Sequence, residues 1–135
     1  MRLMIDANII LDVLQKREPH CQNSTLIWKL CETEQDIGFV STLAFADLIY
    51  IMRKELNAEQ ITKVLERLKM IFQFEDFTAS DMEKAAGLQW KDYEDAVQAV
   101  TAERVKADYI ITRNVKDFAN SKIPAITPSE YLLCR

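Results

Sequence analysis

Acidic, amide and hydroxyl side chains recur in this sequence near the ends of apolar runs and the starts of predicted helices, and one more acid lies inside a predicted helix. The residues of this set are Asp6, Asn8, Asp47, Asp92, Asp95, Thr112, Asn114 and Asp117. Carboxylate and amide oxygens are ligands for hard cations such as Mg²⁺ and Mn²⁺. Because such a cation lowers the pKa of a bound water, the set predicts metal-assisted hydrolysis of a phosphodiester bond.

Asp47 is the acid that is hardest to explain without a ligand. It lies in "STLAFADLIYI", where its neighbours are apolar on nearly every side. A carboxylate in such surroundings is costly unless something pairs with it, and a divalent cation would do so. Carboxylates gathered at one point also repel one another, so that some would take up protons unless a cation holds them together.

The other residues of the set each have an alternative, purely structural interpretation. Asp6 could be a helix N-cap, and Asp92 with Asp95 in "DYED" could be a capping pair at a helix N-terminus, where carboxylates are favoured. Asn114 could be an Asx-turn residue and Asp117 a cap. Helix capping by "DYED" would not exclude metal binding by the same residues.

The elements that must position these residues alternate between short strands and helices. Apolar runs predict strands at 2–5, 37–40, 71–74, 108–112 and in "IPAIT". Helical patterns lie between them at 8–15, 21–33, 42–56, 58–70, 79–88 and 93–106, with a terminal helical turn from Pro128. This alternation predicts an α/β fold, a three-layer α/β/α sandwich around a mostly parallel sheet of four to five strands. Ligands bind at the carboxyl ends of such strands, so all the residues of the set can reach one edge.

Composition limits the kind of protein. The 135 residues contain no linker or repeat and predict one domain, 1–135. Two glycines exclude a nucleotide-cradling glycine loop, and one histidine, His20 in a polar turn, leaves any catalysis to carboxylates. The three cysteines predict reduced thiols in a cytoplasmic protein, and no apolar run is long enough to span a membrane. The net charge of −4 argues weakly against a general nucleic-acid binder, although a metal site would account for much of the acidic excess.

Four segments together resemble the PIN domain family, and most closely its bacterial branch of VapC-like toxins. They are "LMIDANIILDVL", the acid in "STLAFADLIY", "DYEDAVQAVTAERVKADYIITRNVKDF" and "IPAITPSEYL". The likeness covers essentially the whole chain in order, and residues 92–118 are its most specific part. It implies a three-layer fold and a Mg²⁺- or Mn²⁺-dependent ribonuclease site acting on RNA. It also implies an antitoxin partner and a homodimer.

The resemblance implies roles residue by residue. Asp6 matches the first acid of the family site and Asp95 the third, while Asn114 and Asp117 are both candidates for the fourth position. Supporting roles are expected for Asn8, Asp92 and Thr112. Asp47 falls where the family usually has glutamate, which is one methylene longer. The departure keeps open a PIN fold with weak activity that serves as a binding module.

Three cations stand beside the acids. Lys91 precedes Asp92, and Arg113 and Lys116 flank Asn114. We expect them to neutralise the phosphates of RNA without reading its bases, although a solvated surface is the alternative. Asp12, on the first helix, is expected to face solvent or a basic neighbour.

Two further hypotheses concern other surfaces. A homodimer could use an apolar face around Leu48, Ile51 and Met52, although these residues could equally belong to the core. A receiver-like signalling domain would also combine a parallel sheet, acids at strand ends, a late threonine and magnesium. Glu75 or Asp76 would then be the phosphoacceptor, but a receiver has no need for the acids of "DYED".

Overall fold

Five parallel strands form one central sheet in the computed structural model, which describes residues 1–135. The strands are β1 (Arg2–Ile5), β2 (Ile37–Ser41), β3 (Gln73–Glu75), β4 (Tyr109–Ile111) and β5 (Ala125–Ile126). Their order across the sheet is β3-β2-β1-β4-β5, and every neighbouring pair is parallel. The predicted parallel α/β architecture is therefore confirmed.

Seven α-helices and one short 3₁₀-helix connect and cover the strands. The α-helices are α1 (Ala7–Leu14), α2 (Cys21–Glu32), α3 (Thr42–Ile51), α4 (Ala58–Ile71), α5 (Ala79–Leu88), α6 (Tyr93–Arg104) and α7 (Pro128–Cys134). The 3₁₀-helix spans Val115–Phe118, after β4. None of the helices has the length and apolar character needed to cross a membrane.

The central strand β1 is apolar because both of its faces are covered. Leu3 and Ile5 join one large cluster with residues of α1 to α4 and α7, whereas Met4 joins a second cluster with residues of α6. Successive side chains of a strand point to opposite faces, so this division shows two helical layers with the sheet between them.

Several predicted boundaries are wrong by a few residues, and two of them have a clear cause. The helix predicted over 42–56 ends at Ile51 and is followed by turns, and α4 then begins with a capping box in which Asn57 and Gln60 exchange hydrogen bonds. The third strand is Gln73–Glu75 and not 71–74, because Ile71 still belongs to α4. In the first case an apolar periodicity continues past the point where the helix ends, whereas in the second the apolar run "IFQF" begins inside the last turn of α4.

The apolar face suggested for a dimer is largely core. Leu48 and Met52 are buried, with 0% and 5% of their surface exposed, and both belong to the large cluster. Only Ile51 of the three is exposed. Helix α3 packs this stripe against the sheet and α1, so the surface defined by these three residues is not available to a second subunit.

Candidate functional site

The carboxyl ends of β1 and β4 lie at one edge of the sheet, beside a cavity of about 400 Å³ that we call the acidic cavity. Most of the predicted site residues line it: Asp6, Asn8, Asp47, Asp92, Asp95, Arg113, Asn114 and Asp117. Lys91 and Lys116 line an adjoining cavity of about 810 Å³, which shares Asp92, Asp95 and Asp117 with the first. His20 and the cysteines line neither cavity.

Asp6 is oriented by the turn after β4. The Oγ1 of buried Thr112 donates a hydrogen bond of 2.7 Å to Asp6 Oδ2, and Asn8 Nδ2 donates to the same oxygen at 3.0 Å. Thr112 Oγ1 in turn accepts from the Asn114 N–H at 3.0 Å. Asp6 stands at the N-cap position of α1, but its side chain makes no capping hydrogen bond. Burial raises the pKa of Asp6, and the hydrogen bond from Thr112 opposes that rise.

The acids at the start of α6 have two different roles. Asp92 caps the helix, because its Oδ1 accepts a hydrogen bond of 3.1 Å from the Asp95 N–H. The Asp95 carboxyl is therefore not needed as a cap and lines the acidic cavity. Burial raises the pKa of Asp95 to about 7, and the negative charges of Asp92, Asp6 and Asp117 contribute to the rise. These four acids interact electrostatically as one group.

Glu94 is a site residue that sequence reasoning missed. It lies in the first turn of α6 and lines the acidic cavity. The Asp47 carboxyl beside it raises the pKa of Glu94 to about 7, and burial and the charges of Asp92 and Asp95 add to this effect. Glutamate in the first turn of a helix is ordinary, since it faces the positive end of the helix dipole. The only feature of the sequence that could have indicated a role for Glu94 was its place in "DYED". Its contact with Asp47 depends on how α3 and α6 pack.

Two amides leave buried polar atoms without partners beside these acids. Gln98, one turn after Asp95 on α6, also lines the cavity and was not predicted. Its Nε2 makes no hydrogen bond of standard geometry, but it lies near enough to Asp6 to lower the pKa of that carboxyl, and Asn8 Oδ1 has no partner. Buried polar atoms normally have partners, so each unpaired atom indicates a place where a ligand, ion or water can bind.

The expectation that Asp12 faces solvent is wrong, and the expectation of a basic neighbour is confirmed. Asp12 is fully buried, and its Oδ2 accepts hydrogen bonds from Arg113 Nε at 2.9 Å and from Ser24 Oγ at 3.1 Å. Arg113 is therefore not a free surface cation. Its side chain is 25% exposed and lines the acidic cavity while it neutralises a carboxylate behind it.

The donor chemistry of the cavity fits a hard cation. Its lining offers carboxylate, amide and hydroxyl oxygens and contains no histidine or cysteine. The unpaired Asn8 Oδ1 is one such oxygen. No three acidic, histidine or cysteine side chains are close enough together to hold an ion by direct bonds alone.

The receiver-like hypothesis finds no support in the positions of its phosphoacceptors. Glu75 ends β3, at the border of the sheet, where its Oε2 pairs with Arg104 at 3.1 Å. Neither Glu75 nor Asp76 lines the acidic cavity. A phosphoacceptor would have to share a site with the other acids to use the same magnesium ion.

Comparison with known proteins identifies the family. Residues 2–116 match the family model of the PIN domain. The chain therefore belongs to the PIN domain family, as its sequence resemblance had indicated. No protein with a curated description matches the chain.

Solved structures with the same fold include toxin–antitoxin proteins. VapBC2 of Rickettsia felis, bound to a DNA fragment from its promoter, matches with a TM-score of 0.72, 20% identity and coverage of 94% of this chain and 98% of the other. A toxin–antitoxin complex of Klebsiella pneumoniae gives a TM-score of 0.71, 21% identity and coverage of 93% and 97%. VapC20 of Mycobacterium tuberculosis, described as a sarcin–ricin-loop-cleaving toxin, gives a TM-score of 0.64 and 10% identity, with coverage of 80% of this chain and 86% of the other.

Proposed function

We propose that this PIN domain is a ribonuclease that hydrolyses phosphodiester bonds of single-stranded RNA with Mg²⁺ or Mn²⁺. The observation that carries the proposal is the group formed by Asp6, Asp95 and Asp117 at the carboxyl edge of the sheet. Burial raises the pKa of Asp95 to about 7, and the charges of Asp92, Asp6 and Asp117 add to the rise, so these acids repel one another without a cation. A cation would relieve that repulsion and allow the carboxylates to ionise together.

Asp6 and Asp95 would hold the cation, with Asp47 and either Asn114 or Asp117 completing the set. The hydrogen bonds from Thr112 and Asn8 both fall on Asp6 Oδ2, which favours Oδ1 as the oxygen that meets the ion or a water between them. Water-mediated contacts suit this site, because Mg²⁺ usually keeps several of its waters. When bound, the cation supplies a water of lowered pKa and neutralises charge on the phosphate.

The remaining residues orient the substrate and the acids. Thr112 and Asn8 hold the Asp6 carboxylate in one rotamer through the hydrogen bonds described above. Arg113, held from behind by Asp12, can donate its terminal guanidinium N–H groups to a non-bridging phosphate oxygen. Gln98 Nε2, which approaches Asp6 without a hydrogen bond of standard geometry, is a second donor beside the acids.

We also propose that the protein is the toxin of a toxin–antitoxin pair in the cytoplasm. Support comes from its structural neighbours, since those of Rickettsia felis and Klebsiella pneumoniae were solved as toxin–antitoxin complexes. An antitoxin is then the expected partner. A homodimer, if one forms, must use a surface other than the buried face of α3.

The decisive experiment compares Asp95→Asn with Asp76→Asn in the cleavage of single-stranded RNA with Mn²⁺. Asp76 is exposed, and its carboxylate makes no hydrogen bond or ion pair, so its replacement should leave the rate unchanged. Asp95→Asn should reduce the rate at least about 100-fold, in line with the loss of a group that stabilises charge in the transition state. An Asp95→Asn protein that cuts RNA at the unmodified rate, free of contaminating nuclease, would disprove the proposed site. Labelling of Asp76 by acetyl phosphate would instead indicate a receiver.

A further inference from the structure

The acidic cavity opens into a groove that the proposed chemistry does not use. The adjoining cavity shares Asp92, Asp95 and Asp117 with the acidic cavity, and on its far side it meets a third cavity of about 610 Å³. Leu88, Trp90 and Asn120 line both of these outer cavities. We call the two outer cavities together the lateral groove. A chain that leaves the acids in this direction must pass Trp90.

Trp90 is a fixed aromatic ring in the middle of the lateral groove. It is half-buried and packs edge-to-face on Phe118, with ring centroids 6.3 Å apart. It also packs against the cluster that contains Met4 and against a small cluster formed by α5 and α6, so its orientation is set by the core. A rigid ring beside a backbone-binding groove is the usual platform on which single-stranded nucleic acids stack a base.

Beyond Asp92, Asp95 and Asp117, which it shares with the acidic cavity, the lateral groove carries unpaired charges that are all positive. Lys91 and Lys116 line its inner part and Lys84 its outer part, and all three are exposed and make no ion pair. Lys122 adds a fourth ammonium group, which meets Glu103 at 3.5 Å on the surface. In a chain of net charge −4, this concentration of cations is complementary to a polyanion and not to a basic protein segment.

We propose that single-stranded RNA runs from the acidic cavity into the lateral groove, where one nucleobase stacks on Trp90. Lys91 and Lys116 contact the phosphates between the acids and that base, and the Asn120 amide, which makes no hydrogen bond within the protein, is placed to meet a base edge. The choice of RNA rests on the proposed function. The stacking site itself is defined by the groove and can be tested without catalysis.

The test uses Trp90 as its own reporter. Trp28→Phe removes the only other indole, which is buried in the main core and whose Nε1 has no partner that the change would disturb. The Trp28→Phe protein is titrated in EDTA, which prevents cleavage, with an RNA of ~8 nucleotides, within the site sizes of single-strand-binding grooves. Saturable quenching of Trp90 fluorescence is expected. An abasic strand of equal length should bind about tenfold more weakly and leave the fluorescence nearly unchanged.

Variants separate stacking from charge. With labelled RNA and anisotropy as the readout, Trp90→Leu should weaken binding about tenfold while its melting temperature shows that the fold is retained. The Lys91→Ala/Lys116→Ala pair should reduce the slope of log affinity against log salt by about 1.4, roughly 0.7 for each phosphate of the single strand that is no longer neutralised. Lys69→Ala is the matched control, because Lys69 is exposed on α4 beside a different cavity. Lys69→Ala should change neither the affinity for RNA nor the slope of log affinity against log salt.

Other results would overturn the proposal. RNA that binds without quenching Trp90, or an abasic strand that quenches equally, would exclude base stacking. Quenching by an acidic peptide but not by RNA would assign the groove to a protein partner. Failure of the proposed function would look different. A protein that never cleaves RNA, but whose Trp90 is still quenched by RNA and whose Trp90→Leu variant still binds more weakly, would keep the stacking site and disprove only the nuclease function.

Discussion

The contact between Arg113 and Asp12 allows a quantitative test of the structure. Asp12 is fully buried, and Arg113 is the only cation that meets it, through a single bond of 2.9 Å to Oδ2. Asp12 Oδ1 has no partner. Removing one member of a buried ion pair leaves an uncompensated charge and costs about 3–5 kcal/mol. Because the Arg113 side chain is 25% exposed, water screens part of that charge, and Arg113→Ala should cost about 3 kcal/mol, the lower end of the range.

Asp12→Asn provides the matched change on the other side of the contact. It removes the buried charge and keeps the shape of the side chain and an acceptor for Ser24. The double variant Asp12→Asn/Arg113→Ala should therefore be more stable than Arg113→Ala alone, with a coupling energy of about 1–3 kcal/mol. Lys116→Ala, an exposed change in the turn after β4, should stay within about 0.5 kcal/mol of the unmodified protein.

Urea unfolding followed by circular dichroism measures these free energies, and an unchanged m-value shows that the compactness of the end states is the same. A cost below about 1 kcal/mol for Arg113→Ala, together with an additive double variant, would refute the reasoning. The result also decides how RNA binding by Arg113 variants is interpreted. If the predicted destabilisation is found, weaker binding by Arg113→Ala cannot be assigned to the absence of a phosphate contact until folding has been measured.

Four further predictions concern the acids and the sheet. Asp6→Asn should abolish Mn²⁺ binding in calorimetry without unfolding the protein, and unchanged affinity would remove Asp6 from the site. Burial and neighbouring charges raise the pKa of Asp95 from 3.8 to about 7. Between these two pH values the Asp95 carboxyl is protonated in the folded protein but ionised in the unfolded chain. The stability that this bound proton contributes is complete below pH ~4 and is lost as the pH rises through ~7. In EDTA, therefore, the melting temperature should fall between pH ~4 and pH ~7. Mn²⁺ at a hundredfold excess over its dissociation constant should add about 2–3 kcal/mol above pH 7, and no shift would argue against a metal site. Gly38→Ala places a methyl group 2.7 Å from Phe72 Cδ1 and 2.8 Å from Cys31 Sγ, and should cost about 1–3 kcal/mol in urea unfolding.

The layout of the sheet could be predicted from the sequence because local patterns are sufficient for it. Residues 3–5 of strand β1 are covered on both faces and are therefore all apolar, and the polarity of the chain changes where Asp6 reaches the edge of the sheet. The alternation of such runs with helical periodicity requires parallel neighbours. The α/β class and the edge at which the acids gather follow from these features, whereas the family followed from the resemblance of four segments. The class and the family are confirmed.

Contacts between distant residues were decided only by the tertiary structure. Arg113 and Asp12 are 101 residues apart, and nothing local to either residue indicates that one neutralises the other inside the core. Glu94 has the ordinary sequence context of a helix first turn and becomes a site residue because α3 carries Asp47 to it. Periodicity shows which face of a helix is apolar, but it does not show which residue on another element will lie opposite that face. That choice depends on how the helices pack on the twisted sheet, and it determines the charge that each carboxylate of the site meets.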